Sequence, residues 1–164
     1  MGNANDTDYT GRMPKVSAGL VMYRMRGGEI EVLLVHPGGP FWAKKDAGAW
    51  FIPKGEAKPD EDLFSAAKRE FMEETGIKPE GKFLELDSVK HKSGKTVTAW
   101  AFESDCKPGS IKSNTFSMEW PPRTGEQKEF PEVDRAAFYT IEAAREKMHA
   151  AEFEFLIRLK ELLV

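Results

Sequence analysis

Residues 55–77 read GEAKPDEDLFSAAKREFMEETGI, and this stretch places three glutamates close together. On an α-helix, the spacings i, i+3 and i+4 put Glu70, Glu73 and Glu74 on one face, within side-chain reach of one another. Like charges at this spacing weaken a helix unless a cation lies between them, and carboxylate oxygens select a hard cation such as Mg²⁺ or Mn²⁺. The pattern therefore predicts a helix that binds a divalent cation, with an ordinary solvated acidic helix as the alternative.

The residues around the glutamates favour a helix with defined ends. Pro59 and the acidic residues 60–62 supply a start, because carboxylates complement the positive end of the helix dipole. Apolar residues recur at helical spacing at positions 63, 64, 67 and 71 and give the helix a face to bury. Gly76 stands where a C-terminal glycine cap is expected. We therefore expect the helix to begin near residues 59–62 and to end at Gly76.

The whole stretch resembles the Nudix box, the signature of the Nudix hydrolases, in which a glycine, a glutamate and the run R-E-U-x-E-E-x-G-U stand at fixed spacing and U is a bulky apolar residue. Every fixed position is filled, by Gly55, Glu61, Arg69, Glu70, Phe71, Glu73, Glu74, Gly76 and Ile77. The resemblance implies an enzyme that hydrolyses a nucleoside diphosphate linked to another group, with a divalent metal on the box carboxylates. It also implies a Nudix-type α/β/α sandwich with a mixed sheet, over roughly residues 15–163.

The resemblance also assigns roles to individual residues of the box. It implies that Glu70 and Glu74 ligate Mg²⁺, with Mn²⁺ as a substitute. The resemblance further implies Glu73 as an additional ligand and the carbonyl of Lys54 as the one that completes the set. Arg69 lies four residues before Glu73 and is expected to orient the glutamates by pairing with them.

The general base that takes a proton from the attacking water is predicted to be either Glu70 or Glu132. Glu132 precedes a short predicted strand, a position similar to the one where many Nudix enzymes carry an extra carboxylate outside the box. Glu126 and Glu129 on the same loop are competing candidates. A structural salt bridge from Glu132 to the arginine at position 123 or 135 is the alternative to a catalytic or metal-binding role.

The residues that lead into the box narrow the predicted substrate. Residues 50–55, WFIPKG, resemble the W-x-x-P-K-G entry of the Nudix diadenosine tetraphosphate hydrolases and of the diphosphoinositol polyphosphate branch. Lys54 would place a cation beside the metal to hold an additional phosphate, unless it is simply solvated. Residues 91–100 are similar to the hairpin with which those hydrolases grip the polyphosphate chain. Lys92 and Lys95 flank its tight turn, where they either bind phosphate or are simply solvated. We therefore expect a dinucleoside polyphosphate such as diadenosine tetraphosphate.

Aromatic residues offer candidate stacking partners for a nucleobase. Trp42 lies in the predicted loop before the box and Trp120 precedes two prolines, so each is either a stacking platform or a core anchor. Residues 105–131 are longer than the corresponding connection in the small hydrolases, which leaves the base specificity open. A nucleoside triphosphate or a nucleotide sugar is an alternative substrate, and a non-catalytic nucleotide-sensing Nudix module is the alternative from another class.

Length and composition limit the remaining possibilities. A chain of 164 residues with 40% hydrophobic residues fits one domain, expected over residues 15–164 behind a flexible tail of residues 1–14. The net charge of −3 gives no electrostatic reason to bind long nucleic acid, so the expected partner is a small nucleotide and the protein a monomer or dimer. The lack of a long apolar run or signal peptide predicts no membrane contact, and the single cysteine, Cys106, fits a reducing cytoplasm.

Hydrophobic patterning predicts an α/β fold around the box helix. Strands are expected at residues 16–25, 30–36, 50–53, 82–92, 95–103 and 136–139. Helices are expected at residues 142–148 and 151–163, the second with an apolar stripe that predicts core packing. Residues 105–131 are predicted to be mostly irregular, because Pro, Gly, Ser and charged residues are frequent there.

Overall fold

The computed structural model describes residues 15–164, which form a mixed sheet with helices on both faces. The predicted tail, residues 1–14, lies outside the described residues. The strands are β1 (Val16–Arg26), β2 (Glu29–Pro37), β3 (Lys54–Glu56), β4 (Phe83–Lys90), β5 (Thr96–Glu103), β6 (Thr115–Glu119), β7 (Gln127–Pro131) and β8 (Val133–Thr140). The helices are α1 (Leu63–Thr75), α2 (Ile141–Lys147) and α3 (Ala150–Leu163), with a 3₁₀ turn at Pro108–Ser110.

The main sheet has the strand order β4-β5-β1-β2-β8, and the short strand β3 also pairs with β1. Strands β1 and β5 run parallel, whereas β1 is antiparallel to both β2 and β3. The outer pairs, β4 with β5 and β2 with β8, are antiparallel as well. The predicted mixed sheet is therefore confirmed. Its central strand, β1, also positions β3, and β3 contains Gly55, the first residue of the box.

Successive side chains of β1 alternate between two apolar cores. Leu20 and Met22 are buried in the core that contains Phe71 of α1. Val21 is buried in the opposite core with Phe155 of α3. Because each face of the sheet is covered by helix, the predicted α/β/α sandwich is confirmed.

Two predicted elements differ from the structure around the box entry and at the end of the sheet. Residues 50–53 do not form a strand, because Trp50 and Phe51 make only isolated bridges, to Met148 and Val35, and regular pairing begins at β3. Strand β8 is longer than the predicted residues 136–139, since it continues to pair with β2 beyond both of those bounds. Within residues 15–164, none of the helices has the length and apolar character needed to cross a bilayer.

The prediction of a mostly irregular segment at residues 105–131 missed one element, because β6 and β7 form an antiparallel hairpin apart from the main sheet. Phe116 lies opposite Phe130 in the hairpin, with their rings 6.0 Å apart. The Phe116 ring also covers Gly39, where an added Cβ would lie 2.9 Å from it. The hairpin thus rests on the loop that follows β2, a contact that sequence periodicity does not reveal.

Candidate active site

Helix α1 carries the predicted metal ligands, and both of its ends are capped. Asp62 is the N-cap, and its carboxylate accepts a hydrogen bond from the Ser65 amide at 3.0 Å. Gly76 is the C-cap, with a φ of 74° that favours glycine, and its N–H donates to the Met72 carbonyl at 2.8 Å. Phe71 is completely buried in the core below the helix. These contacts fix the rotation of α1 and leave its glutamates outside that core.

Arg69 is the centre of an ion-pair network at the box. Its guanidinium donates to both carboxylate oxygens of Glu61, at 2.8 and 2.9 Å, and this bidentate pair holds the pKa of Glu61 down at about 2. Its Nη1 donates to Glu70 at 2.8 Å and to Glu73 at 3.2 Å. Its Nη2 donates to the Glu56 carbonyl at 3.2 Å. This is the geometry that an orienting role for Arg69 requires.

The carboxylate of Glu70 packs directly on the backbone of Gly55. A Cβ at position 55 would overlap the Glu70 carboxylate, so a glycine is needed for this close approach. Desolvation raises the pKa of Glu70, the hydrogen bond from Arg69 opposes that shift, and the charge of Glu73 adds to it. Strand β3 and helix α1 therefore meet at a carboxylate that is poorly solvated.

Glu74 is the more strongly perturbed carboxylate of the helix. Desolvation raises the pKa of Glu74 to about 8, against the charge of Lys54 and a 3.3 Å hydrogen bond from the Lys54 amide. The negative charges of Glu70 and Glu132 raise it further. Part of the side chain reaches solvent, but its carboxylate lies among protein atoms, so the charged form lacks adequate solvation.

Glu132 joins β7 to β8 and is held in place by backbone hydrogen bonds. Its N–H donates to the Asn114 carbonyl at 2.8 Å, and its carbonyl accepts from the Gly38 N–H at 3.0 Å. Asn114 in turn donates to the carbonyl of Glu73 on α1 at 2.8 Å. Desolvation and the charge of Glu73 raise the pKa of Glu132. The structure thus brings Glu132 close enough to α1 for its carboxylate to interact with the box glutamates.

The competing candidates for the extra carboxylate lie farther along the hairpin. Glu126 and Glu129 are both exposed, and the Glu129 carboxylate accepts a hydrogen bond from a threonine hydroxyl of the opposite strand. Arg135, one of the arginines offered as a salt-bridge partner for Glu132, instead lies 3.5 Å from Asp134. Of the three glutamates, Glu132 is the one that the fold places beside the box.

The donor set of the box fits a hard divalent cation. Glu70, Glu74 and Glu132 are desolvated carboxylates that repel one another, and such oxygen donors select Mg²⁺ or Mn²⁺. Within residues 15–164, however, no group of three or more His, Cys, Asp or Glu side chains has the geometry to hold a metal ion. Arg69 donates hydrogen bonds to the carboxylates of Glu70 and Glu73. These two glutamates therefore lie near each other but are paired with the Arg69 guanidinium.

A second charged cluster adjoins Lys54, and it was not predicted from the sequence. Glu152 of α3 is completely buried; its Oε2 lies 3.1 Å from Lys54 Nζ and 3.3 Å from His91 Nε2. Both contacts are short, but neither has the geometry of a hydrogen bond. The other carboxylate oxygen of Glu152, Oε1, accepts a hydrogen bond from the Ile52 amide at 3.3 Å. The His91 ring stacks on His149 with centroids 4.6 Å apart. The one sequence signal for this cluster was a glutamate within the apolar stripe of α3.

The three predicted phosphate-binding lysines have different surroundings. The side chain of Lys54 is only 11% exposed, and its ammonium pairs with Glu152 instead of standing free beside the box glutamates. Lys95 is half-buried, and desolvation together with the nearby charge of Lys54 lowers the pKa of Lys95. Lys92 is exposed. The turn at residues 91–95 therefore directs Lys95 towards the Lys54 cluster and Lys92 towards solvent.

The two candidate stacking tryptophans are both half-buried and each meets a phenylalanine edge-to-face. Trp42 packs against Phe51 with ring centroids 5.8 Å apart. Trp120, just beyond β6, packs against Phe41 at 6.1 Å, and Phe41 itself is 66% exposed. The loop after β2 and the β6–β7 hairpin thus bring their aromatic residues together, while the role of either tryptophan in base binding stays a prediction.

Comparison with protein families identifies a match to the NUDIX domain over residues 13–159. The asymmetrical bis(5'-nucleosyl)-tetraphosphatase of Caenorhabditis elegans is 35% identical over 96 residues, which cover 58% of this chain and 59% of that protein. An RNA pyrophosphohydrolase of Bradyrhizobium is 37% identical over 71 residues, covering 43% of this chain and 36% of that protein. The matched stretches thus span less than two thirds of the length of these curated relatives.

Solved structures share the fold at low sequence identity. The NUDIX domain of Shewanella oneidensis NrtR, complexed with ADP-ribose, superposes with a TM-score of 0.66 at 15% identity, covering 98% of this chain and 96% of that one. A binary complex of C. elegans Ap4A hydrolase gives a TM-score of 0.64 at 24% identity, covering 90% and 97%. At such identities the likeness establishes the fold and not the ligand.

Proposed function

Because the chain belongs to the NUDIX domain family, we propose that it is a metal-dependent hydrolase that cleaves a phosphoanhydride bond in a nucleoside diphosphate linked to another group. The observation that carries this proposal is the group of desolvated, mutually repelling carboxylates of Glu70, Glu74 and Glu132. Glu74 lies within reach of the charge of Lys54, and Lys95 lies close to Lys54 in turn. Carboxylates that need a cation, with the half-buried ammonium of Lys95 nearby, suit a metal-bound phosphate chain.

The box residues would hold and orient the metal. Glu70 and Glu74, with Glu73 and the carbonyl of Lys54, are the proposed ligands of Mg²⁺ or Mn²⁺. When bound, such a metal lowers the pKa of its water and neutralises charge on phosphate oxygens. Arg69 keeps Glu70 and Glu73 in place through its hydrogen bonds to both carboxylates.

Glu132 or Glu70 would take the proton from the water that attacks phosphorus. Desolvation raises the pKa of both carboxyls, which moves each towards the range in which a general base works best near neutral pH. Glu70 is already engaged by Arg69, whereas Glu132 reaches the box from a different segment of the chain. This difference favours Glu132 as the base and Glu70 as a ligand.

We propose a dinucleoside polyphosphate as the substrate, such as diadenosine tetraphosphate cleaved asymmetrically to ATP and AMP. Lys95 beside Lys54, with Lys92 on the same turn, supplies positive charge for a long phosphate chain. Trp42 and Trp120 are the proposed stacking partners for a base. The similarity to the asymmetrical tetraphosphatase of C. elegans supports this substrate class.

Other substrates share the same chemistry at phosphorus and differ in the leaving group. The similarity to an RNA pyrophosphohydrolase supports an RNA substrate as the second candidate, although a net charge of −3 does not favour long nucleic acid. Nucleoside triphosphates and nucleotide sugars are further candidates. A non-catalytic nucleotide sensor is disfavoured, because Glu70, Glu73 and Glu74 are all present.

A substrate screen tests the proposed function. Product release would be measured with Mg²⁺ or Mn²⁺ across dinucleoside polyphosphates, nucleoside triphosphates, nucleotide sugars and capped RNA. We expect metal-dependent cleavage, with diadenosine tetraphosphate among the best substrates. Glu74→Gln should remove most of the activity, whereas Glu85→Gln, an equal loss of charge at an exposed site on β4, should not. A preference of about tenfold or more in kcat/KM for a triphosphate or a nucleotide sugar would contradict the substrate assignment.

A further inference from the structure

Glu152 is a buried carboxylate that joins α3 to two segments around the candidate active site. Its side chain has no solvent exposure, and it lies against the Lys54 ammonium, His91 and the Ile52 amide. Burying an ion pair seldom adds stability, because the desolvation cost offsets the attraction between the charges. The presence of this charge in an otherwise apolar face of α3 therefore points to a purpose other than stability.

Lys54 contacts two carboxylates, one with its backbone and the other with its side chain. Its amide donates to Glu74 at 3.3 Å, while its ammonium lies 3.1 Å from Glu152 and 4.2 Å from the centroid of the Phe51 ring. A lysine ammonium is a compact charge on a flexible four-carbon stem. Glu74 is close enough to feel the positive charge of Lys54, so an ammonium released from Glu152 would be drawn to Glu74.

We propose that Glu152 is a positioning residue that withholds the Lys54 ammonium from Glu74 and so leaves Glu74 available to a divalent cation. This inference rests on the proposed function, since it takes Glu74 as a metal ligand. A carboxylate that already pairs with an ammonium loses part of its attraction for a metal, because binding the metal must first displace that partner. The pair formed by the Glu152 and Lys54 side chains thus sets metal affinity, although neither side chain is a ligand.

The direct test is metal binding by Glu152→Gln in the absence of substrate. Glutamine keeps the shape of the side chain and an acceptor for the Ile52 amide, but it removes the charge that holds the Lys54 ammonium. Titration calorimetry with Mn²⁺ should give a dissociation constant weaker by roughly 10- to 100-fold, as for other groups that support metal ligands indirectly. Glu154→Gln is the matched control, because Glu154 lies on the same helix, is exposed, and pairs with Arg158.

A double variant separates this mechanism from general damage to the fold. Lys54→Met combined with Glu152→Gln removes the ammonium together with its partner, and neutralising both members of a buried pair is better tolerated than neutralising one. We expect the double variant to bind Mn²⁺ about as tightly as the unaltered protein, because no ammonium remains to compete for Glu74. Thermal unfolding would confirm that each variant is folded, and the double variant is decisive if Glu152→Gln alone does not fold.

The possible results are distinguishable. Weak Mn²⁺ binding by Glu152→Gln, restored in the double variant, supports the inference. Unchanged binding by Glu152→Gln, or a folded double variant that binds Mn²⁺ weakly, overturns it while leaving the proposed function intact. Failure of the unaltered protein to bind Mn²⁺ or Mg²⁺ contradicts the metal-dependent function and the inference with it.

Discussion

Two glutamates of the same box have opposite electrostatic surroundings. The bidentate hydrogen bonds from Arg69 hold the pKa of Glu61 at about 2, whereas desolvation raises the pKa of Glu74 to about 8. Glu61 is therefore charged at any ordinary pH and serves as the partner that anchors Arg69. Glu74 lacks such a partner, and a cation at the box would supply one. This difference supports the proposal that Glu74 is a metal ligand and that Glu61 has a structural role.

The raised pKa of Glu74 predicts how the metal-free protein responds to pH. This carboxyl titrates at about 8 in the folded protein and near its ordinary value of 4.5 in the unfolded chain, so the folded state binds its proton more tightly. The stability that it contributes is complete below pH 4.5 and is lost as the pH rises through about 8. We expect thermal unfolding without metal to move to lower temperature over this window.

Glu74→Gln should make the unfolding temperature of the metal-free protein less dependent on pH, because glutamine does not titrate. Glu85→Gln on β4 serves as the control and should follow the unaltered protein, since Glu85 is exposed. Mn²⁺ should raise the unfolding temperature more at the upper end of the window, where Glu74 is deprotonated more easily. If the unfolding temperatures of the unaltered protein and of Glu74→Gln change with pH in parallel, another group controls this pH dependence.

At the scale of elements, local sequence signals identify the helices and most of the main sheet. The box helix runs over Leu63–Thr75, between an acidic N-cap and a glycine C-cap, as residues 59–62 and Gly76 indicate. Both C-terminal helices follow their apolar spacing. The β6–β7 hairpin was not predictable in this way, because its strands are short and Phe116 packs over Gly39, which is far away in the sequence. Short polar strands carry too weak an alternation to reveal such contacts.

The C-cap of the box helix offers a test at this scale. Gly76 has a φ of 74°, and an added Cβ would lie 3.0 Å from the carbonyl oxygen of Lys112. Gly76→Ala should therefore lower the free energy of unfolding by about 1 kcal/mol or more, since alanine is strained in the left-handed region. Chemical denaturation would measure the loss. Gly109→Ala is the matched control, because Gly109 has open space around its Cβ position and no positive φ. Equal losses in the two variants would contradict this account of the cap.

At the scale of the molecule, the candidate site combines local and distant residues, and this decides how much of it was predictable. Glu70, Glu73 and Glu74 are predictable because a single helix sets their spacing. Glu152 was not, because it meets Lys54 and Ile52 only after α3 packs against the sheet. Sequence reasoning therefore identifies a site whose residues are local and misses the partners that the tertiary fold supplies.

The location of Glu132 also depends on the whole fold. It lies where the loop after β2, the segment before β6 and the end of α1 meet, through hydrogen bonds that involve Gly38, Asn114 and Glu73. A base that acts in the transition state contributes little to substrate binding. Glu132→Gln should therefore lower kcat and kcat/KM together by roughly 10²-fold or more, with little change in KM.

Glu126→Gln and Glu129→Gln provide matched controls for Glu132, because both are exposed glutamates on the same hairpin. Steady-state kinetics on the best substrate of the screen would compare the three variants, with circular dichroism to establish that each is folded. We expect near-normal kcat for the two controls, since neither carboxylate lies where Glu132 reaches α1. A near-normal kcat for Glu132→Gln, together with a large loss of kcat in Glu126→Gln or Glu129→Gln, would assign the role of the extra carboxylate to a glutamate of the hairpin. That result would mean that the hairpin closes over the box during the reaction, bringing its own glutamate to the metal in place of Glu132.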